Sequence, residues 1–383
     1  MLLFATLVFA QKSKVKDAEG FLKNNKPDEA KKSIEMALDG VDDDKTMESP
    51  DTWYIRGKVY LALYEKKPEK NKTALKESVI SFKKCLEFFE KESGGKGKEY
   101  ENMIDIKESV AQLEFNLKDE AEKNLGAKNY AVSLEFYETY LELCSISILN
   151  RTDSAIIYKC GIISKNSGNA DKAITFFDKC IEMKYLNSMP YQQKAICQML
   201  SNNTKGQIET LKTGIEKNPA TSVSLINELM INYMKINKLK DFTSFLAELE
   251  NKYTSQPAML ALIGYSYTQI GKQDKGNELI KKAYQYNQES FETNFFMGEM
   301  YYQQAIQATS EADKLEDSKE SEKNQKLLQA QNIFKQSLPH FEKAYKSNKK
   351  DLNVIQKLQT VYRKTEKWNE SMKMKKLYEE LSL

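Results

Sequence analysis

His340 is the only histidine in the chain. A histidine–carboxylate triad, an H-E-x-x-H zinc pair or a multi-histidine metal site would have to use it or cannot be assembled. The five cysteines, Cys85, Cys144, Cys160, Cys180 and Cys197, are odd in number and contain no C-x-x-C pair. That spacing supports neither a zinc site nor a disulfide framework, and fits small apolar core residues better. Gly271-Lys272-Gln273-Asp274-Lys275-Gly276 has glycines at phosphate-loop spacing, but Asn277 stands where the phosphate-binding lysine must be. Gly94-Gly95-Lys96-Gly97-Lys98 follows no strand-like segment and is a basic linker instead. A hydrolase built on two carboxylates needs a facing pair, and the spacing of the 55 acidic residues singles out none. No catalytic, metal or cofactor site is expected, and the chain is read as a non-enzyme.

Charge points the same way. The 58 basic and 55 acidic residues leave a net charge of +3. Only Arg56, Arg151 and Arg363 are arginines, the residue that most often reads phosphates and guanine edges. Nucleic acid is therefore not an expected partner. Apolar residues make up 40% and charged residues 30%, a wet balance for a compact domain but a natural one for an elongated stack of helices. The aromatic content is the more promising signal, because the chain holds 21 tyrosines.

The elements that position these residues repeat. From Pro257 the chain reads Leu260, Ile263-Gly264, Tyr267, Gly271, Gly276, Ile280 and Ala283. Small residues at 264 and 276 let two helices approach closely, Tyr267 fills the space between them, and Gly271 takes the turn where a positive φ is cheap. Related sets are Cys160-Gly161, Gly168, Ala173, Phe177 and Cys180; Tyr191, Ala195, Leu211 and Gly214; Tyr233, Leu246 and Leu249; and Met297-Gly298 and Tyr301, resuming at Phe341 and Ala344. Units start at 154, 188, 223, 257 and 291, in steps of 34, 35, 34 and 34. Residues 11–153 hold more degenerate units around Ala18, Ala30 and Ile34, around Trp53, Gly57, Tyr60 and Phe82 with an extra loop at 66–73, and around Ala121, Tyr130 and Tyr137. A last unit around Leu358, Tyr362, Trp368 and Leu377 reads as a cap with a charged outer side. Residues 303–336 interrupt the eighth unit. They read either as both helices growing past the stack and meeting near 316–322, or as a loop.

The first ten residues, MLLFATLVFA, are apolar and uncharged, with Val8 and Ala10 suiting cleavage before Gln11. They read as a signal peptide, and no other stretch approaches the roughly 20 apolar residues of a membrane span.

This 34-residue pattern resembles the tetratricopeptide-repeat (TPR) family over almost the whole chain after the leader. With the leader and the lysine-rich composition, it resembles exported repeat proteins of Bacteroidetes-type bacteria. The resemblance implies an all-α, right-handed superhelical solenoid of about nine helix pairs. These form a degenerate array over 11–153 and a C-terminal array over 154–383. It also implies a concave groove for partner peptides or domains, lined by one face of each first helix. Tyr54, Tyr158, Asn166, Gln192, Asn227, Tyr265, Phe295 and Tyr302 fall on that face. Aromatic rings with amides suit an extended peptide, offering contact area and backbone hydrogen bonds. The basic clamp that some relatives use for a terminal carboxylate is missing from the last three units, which carry Ala261 and Tyr265, Phe295 and Glu299, and Gln356 and Thr360 at those places. The expected role is a protein-binding scaffold in the periplasm. The alternatives are a cytoplasmic adaptor and a binder of glycan or peptidoglycan.

Overall fold

The computed structural model describes residues 2–39, 44–94, 100–218 and 221–382, and among them every regular element is helical. The chain divides into two compact units, Met1–Leu186 and Asn187–Leu383. In the first, α1 (Leu2–Lys23) pairs with α2 (Pro27–Leu38), and a single turn, α3 (Asp44–Met47), follows. Then α4 (Pro50–Lys66) pairs with α5 (Thr73–Ser93), α6 (Met103–Gly126) with α7 (Tyr130–Cys144), and α8 (Ser154–Asn166) with α9 (Ala170–Glu182). In the second, the pairs are α10 (Met189–Leu200) with α11 (Thr204–Lys217), α12 (Val223–Lys235) with α13 (Leu239–Lys252), α14 (Pro257–Gln269) with α15 (Gln273–Tyr286), α16 (Phe291–Asp313) with α17 (Glu320–Ser347), and α18 (Leu352–Lys364) with α19 (Trp368–Leu381). Setting α3 aside, the nineteen helices among the described residues make nine pairs.

Helix starts follow local chemistry. Pro27, Pro50 and Pro257 open α2, α4 and α14, where a missing N–H costs nothing. Asp153, Asn169, Asn203 and Asp351 cap α8, α9, α11 and α18 by accepting from the backbone N–H three residues on.

The turns inside the pairs share one geometry. Seven pairs are joined by three residues whose middle member is left-handed: Asn25, Lys128, Gly168, Asn202, Asn237, Gly271 and Glu366. The N–H of the following residue reaches back five places to a carbonyl inside the helix, as in Lys272 to Tyr267, 2.9 Å, and Asn203 to Gln198, 2.8 Å. The left-handed residue itself bonds three places back, as in Gly271 to Thr268, 3.1 Å. These are Schellman turns, which satisfy the orphan carbonyls and reverse the chain in minimal length. The other two pairs carry longer connections. In α4–α5 the chain makes a 3-10 turn at Pro68–Lys70, and α16 and α17, of 23 and 28 residues, pair beyond the usual length around a 3-10 turn at Asp317–Lys319.

Packing explains the small residues. A Cβ at Gly264 would lie 2.7 Å from the Gly276 carbonyl oxygen, so α14 and α15 meet backbone to backbone. The five cysteines are buried, and burial pushes the Cys85 and Cys160 thiols up to about 12. Cys85 and Cys160 are therefore protonated filling, not nucleophiles.

The apolar stretch at 1–10 enters α1 at residue 2 as helical backbone, and its side chains lie outside the described residues. Residues 95–99 of the glycine-lysine linker also lie outside them. Among the described residues no helix is long and apolar enough to cross a membrane.

Candidate functional site

The first helices of four successive pairs, α10, α12, α14 and α16, pack in sequence. Each carries a trio spaced i, i+4, i+7: Gln192, Ile196 and Met199; Asn227, Ile231 and Met234; Ala261, Tyr265 and Thr268; Phe295, Glu299 and Tyr302. That spacing places each trio on one helix face. The opposite faces make the core, through Leu225, Ile226 and Leu229 in α12 and Leu260, Ile263 and Tyr267 in α14. Toward α14 and α16 the shared face is covered, since Ala261 and Glu299 are buried. Toward α10 and α12 it is open, with Met199 43%, Ile231 46% and Met234 53% exposed.

Four of the eight residues singled out from the sequence meet in the covered part. Tyr265 lies 5.1 Å from Phe296, centroid to centroid. Burial raises its hydroxyl pKa, the Glu299 carboxylate adds to the rise, and a hydrogen bond from the Asn227 side chain opposes it. Phe295 stacks on Phe291 at 6.0 Å and meets Phe296 and Phe341 edge-on at 5.3 and 6.1 Å. Tyr302 stands edge-on to Phe334 and Phe341, at 5.6 and 6.4 Å. Lys357 Nζ sits 4.1 Å from the Tyr302 ring centroid and 2.6 Å from Glu299 Oε1. These rings are half-buried, and much of their area is used in packing one helix on the next.

The remaining four stand apart. Gln192 is half-buried on α10. In the N-terminal unit, Tyr54 on α4 donates its hydroxyl to Asp105. Tyr158 on α8 packs edge-on to Phe177 at 5.7 Å and near Tyr185 at 6.1 Å. Asn166 is the exposed last residue of α8.

Beside Tyr265 the covered part opens into a cavity of about 190 Å³. Its polar lining is Thr268 and the amides Gln269, Gln273, Asn277 and Gln303, with Glu299, already paired to Lys357, as its one charged group. Side-chain amides can donate and accept at once, so this lining can engage a peptide backbone but has no free charge for an ionic ligand.

Ile196, Met199, Ile231 and Met234 were not singled out from the sequence, because methionine and isoleucine at helical spacing read as core. The signal that finds them is the register. Ile231 and Ile196 occupy the place of Tyr265 one and two repeats earlier, and Met234 and Met199 that of Tyr302 two and three repeats earlier.

His340 on α17 is half-buried between Tyr284, edge-on at 5.0 Å, and Tyr301, stacked at 5.8 Å. Burial and the nearby Lys343 lower its pKa, and its Nδ1 is buried without a hydrogen-bond partner. Among the described residues no carboxylate is hydrogen-bonded to it. Among the described residues no three His, Cys, Asp or Glu side chains gather as a metal set would require.

No family model and no curated protein matches the chain. Among solved structures it is similar to a TPR-repeats protein from Bacteroides fragilis, at 23% identity over 65% of this chain and 98% of that one, with a TM-score of 0.29. It is similar to YrrB, a TPR protein with an unusual peptide-binding site, at 15% identity over 46% and 88%, TM-score 0.27. A thermophilic TPR protein from Thermus thermophilus aligns at 16% identity over 53% and 95%, TM-score 0.30. These are likenesses of fold. The pairs that open at α8, α10, α12, α14 and α16 start 34 or 35 residues apart, with Gly264 against Gly276 and a left-handed residue in each short turn, the arrangement that the tetratricopeptide pattern implies.

Proposed function

We propose that the protein is a non-catalytic scaffold that holds a segment of a partner protein along the first-helix face of its C-terminal unit. The observation that supports this most is the exposed row Met199, Ile231 and Met234, at the same register as Tyr265 and Tyr302. A soluble helix normally places polar residues on an open face, and grouped apolar side chains there are unstable in water unless something covers them. Methionine adapts its shape to varied partners. The amide-lined cavity beside Tyr265 would take the backbone or a polar side chain of the same segment, and Phe295 and Tyr302 would form the wall beyond it.

The working compartment in this reading is the bacterial envelope, reached through residues 1–10. Sequencing the mature N-terminus tests it: Gln11 as first residue supports export, whereas an intact leader in a cytosolic fraction favours the adaptor reading.

The groove is tested with Met199→Asp/Met234→Asp. Both side chains are exposed, so the fold should survive. Capture of partners from native cells should fall by about tenfold or more, the scale of losing two hot-spot contacts. Undiminished capture by a folded variant would remove this face from the partner site.

A further inference from the structure

We propose that the N-terminal unit carries a second binding site, for an acidic stretch of a partner protein that alternates carboxylates with apolar side chains. A cleft of about 570 Å³ lies between α1, α4 and the residues that lead into α6. Its volume is within the roughly 300–1,000 Å³ of ligand sites. Val15, Leu22 and Ile55 supply its apolar lining.

The charge around this lining is unbalanced. Lys12 and Lys16 stand one helical turn apart on α1, exposed, and neither pairs with a carboxylate among the described residues. Two of the other lining lysines are already paired within the protein. Lys23 pairs with Glu19 at 2.6 Å and Lys58 with Asp105 at 2.8 Å, while Tyr54 donates to Asp105 and Tyr100 to Asp51. Two free cations beside an apolar floor ask for a ligand with both properties.

A continuous polyanion fits poorly, because Glu19, Asp51 and Glu101 line the same cleft and would repel it. Nucleic acid would also lack an arginine there to grip its phosphates. A peptide with one or two carboxylates placed between apolar side chains satisfies the cations and the floor together. Because both cations lie on one helix, they read side-chain carboxylates and place no demand on a chain terminus.

The test uses the full chain and fluorescein-labelled octapeptides, acetylated and amidated so that no terminal charge contributes. The peptides alternate Glu or Gln with Leu or Ser, and binding is read by anisotropy. Glu/Leu peptides should bind, with Gln/Leu and Glu/Ser peptides weaker by about tenfold, and K12E/K16E should weaken the Glu/Leu peptides by a similar factor. Raising the salt should shrink those differences. M199D/M234D should leave this binding unchanged, so failure here is separate from failure of the groove in the C-terminal unit. Equal binding of Glu and Gln peptides, no binding by any of them, or indifference to K12E/K16E overturns the proposal. Displacement by a single-stranded oligonucleotide as effectively as by unlabelled Glu/Leu peptide does so too, because it would make the cleft a nucleic-acid surface.

Discussion

The two units build the same helix pair with different chemistry. The N-terminal unit ties its helices with charge and with tyrosine hydroxyls. Arg56, 10% exposed at its side chain, pairs with Glu35 at 2.9 Å and Glu77 at 2.8 Å and donates to Ser81 at 2.8 Å, joining α2, α4 and α5. Tyr64 donates to buried Glu120 at 3.1 Å, Lys72 pairs with the same carboxylate at 3.0 Å, and Tyr140 donates to Asp153 at 2.9 Å. The C-terminal unit brings backbones together at Gly264 and Gly276 and stacks Phe291, Phe295, Phe296 and Phe341 into a continuous aromatic seam. Where small residues let helices touch, dispersion over the contact suffices. Where the repeat has degenerated, polar tethers crossing between helices hold the same arrangement.

That contrast predicts where each unit is fragile. Arg56→Ala removes a buried guanidinium and strands the groups it satisfied, which should cost about 3 kcal/mol. Gly264→Ala pushes a methyl group into a backbone carbonyl and should cost about 2 kcal/mol through forced separation of α14 and α15. Repeat arrays can unfold in parts, so the two losses should appear in different transitions. Trp53 packs at Arg56, 5.6 Å from the guanidinium to its ring, and reports the N-terminal unit. In urea, in a Trp368→Phe background that leaves Trp53 as the single tryptophan, Arg56→Ala should shift the Trp53 fluorescence transition, and Gly264→Ala should shift the far-UV dichroism while leaving Trp53 in place. A loss below about 1 kcal/mol for Arg56→Ala, typical of an exposed ion pair, would dissolve the contrast.

The backbone plan of both units was legible because it depends on residue size and spacing. Gly264 and Gly276, Ala283 and the 34-residue step are required by helix contact and mark themselves in one sequence. The turns were legible only in part. Gly168 and Gly271 signalled a left-handed residue, but Asn25, Lys128, Asn202, Asn237 and Glu366 fill the same position without announcing it. The candidate site was less legible, since burial of an aromatic depends on its neighbours in space. Tyr265, Phe295 and Tyr302 were placed on one helix face, yet their packing on Phe296, Phe341 and Phe334 and the exposure of Met199 and Met234 arise from contacts across helices. The insert at 303–336 left two readings open because its middle is polar and carries no apolar period. In the structure α16 runs to Asp313 and α17 starts at Glu320.

The units should also differ in acid. His340 faces Tyr284, Tyr301 and Lys343, and its folded pKa lies below the ordinary value. The folded chain therefore binds that proton less readily than the unfolded chain. The contribution is complete above about pH 6.5 and is lost as pH falls through the lower folded value. Glu228 in the same unit has the opposite sign, because burial raises its pKa and acid relieves it. In the N-terminal unit, Glu122 is held below the ordinary range by Lys159 and Tyr137. Asp105 is also held low: burial raises its pKa, but hydrogen bonds from Lys58 and Tyr54 outweigh that. Their contribution persists down to about pH 4 and disappears below it. Between pH 7 and 5 the C-terminal unit should weaken while the Trp53 transition stays fixed. His340→Phe should abolish that weakening, and a decline that survives the substitution would assign it to other groups.

The smallest expected effect treats the units alike. Lys128 in the N-terminal unit and Glu366 in the C-terminal unit hold φ of +61° and +65° at the middle of a Schellman turn. A side chain in the left-handed region strains against the backbone, and glycine removes that strain. Glycine also adds freedom to the unfolded chain, which opposes the gain. The balance favours the folded state, so Lys128→Gly and Glu366→Gly should each stabilise by about 0.5 kcal/mol. Equal shifts in urea would show that the turns obey one rule whatever chemistry holds the helices. A gain confined to Glu366→Gly would mean that Lys128 serves the N-terminal unit through its side chain, extending that unit's reliance on charge to its turns.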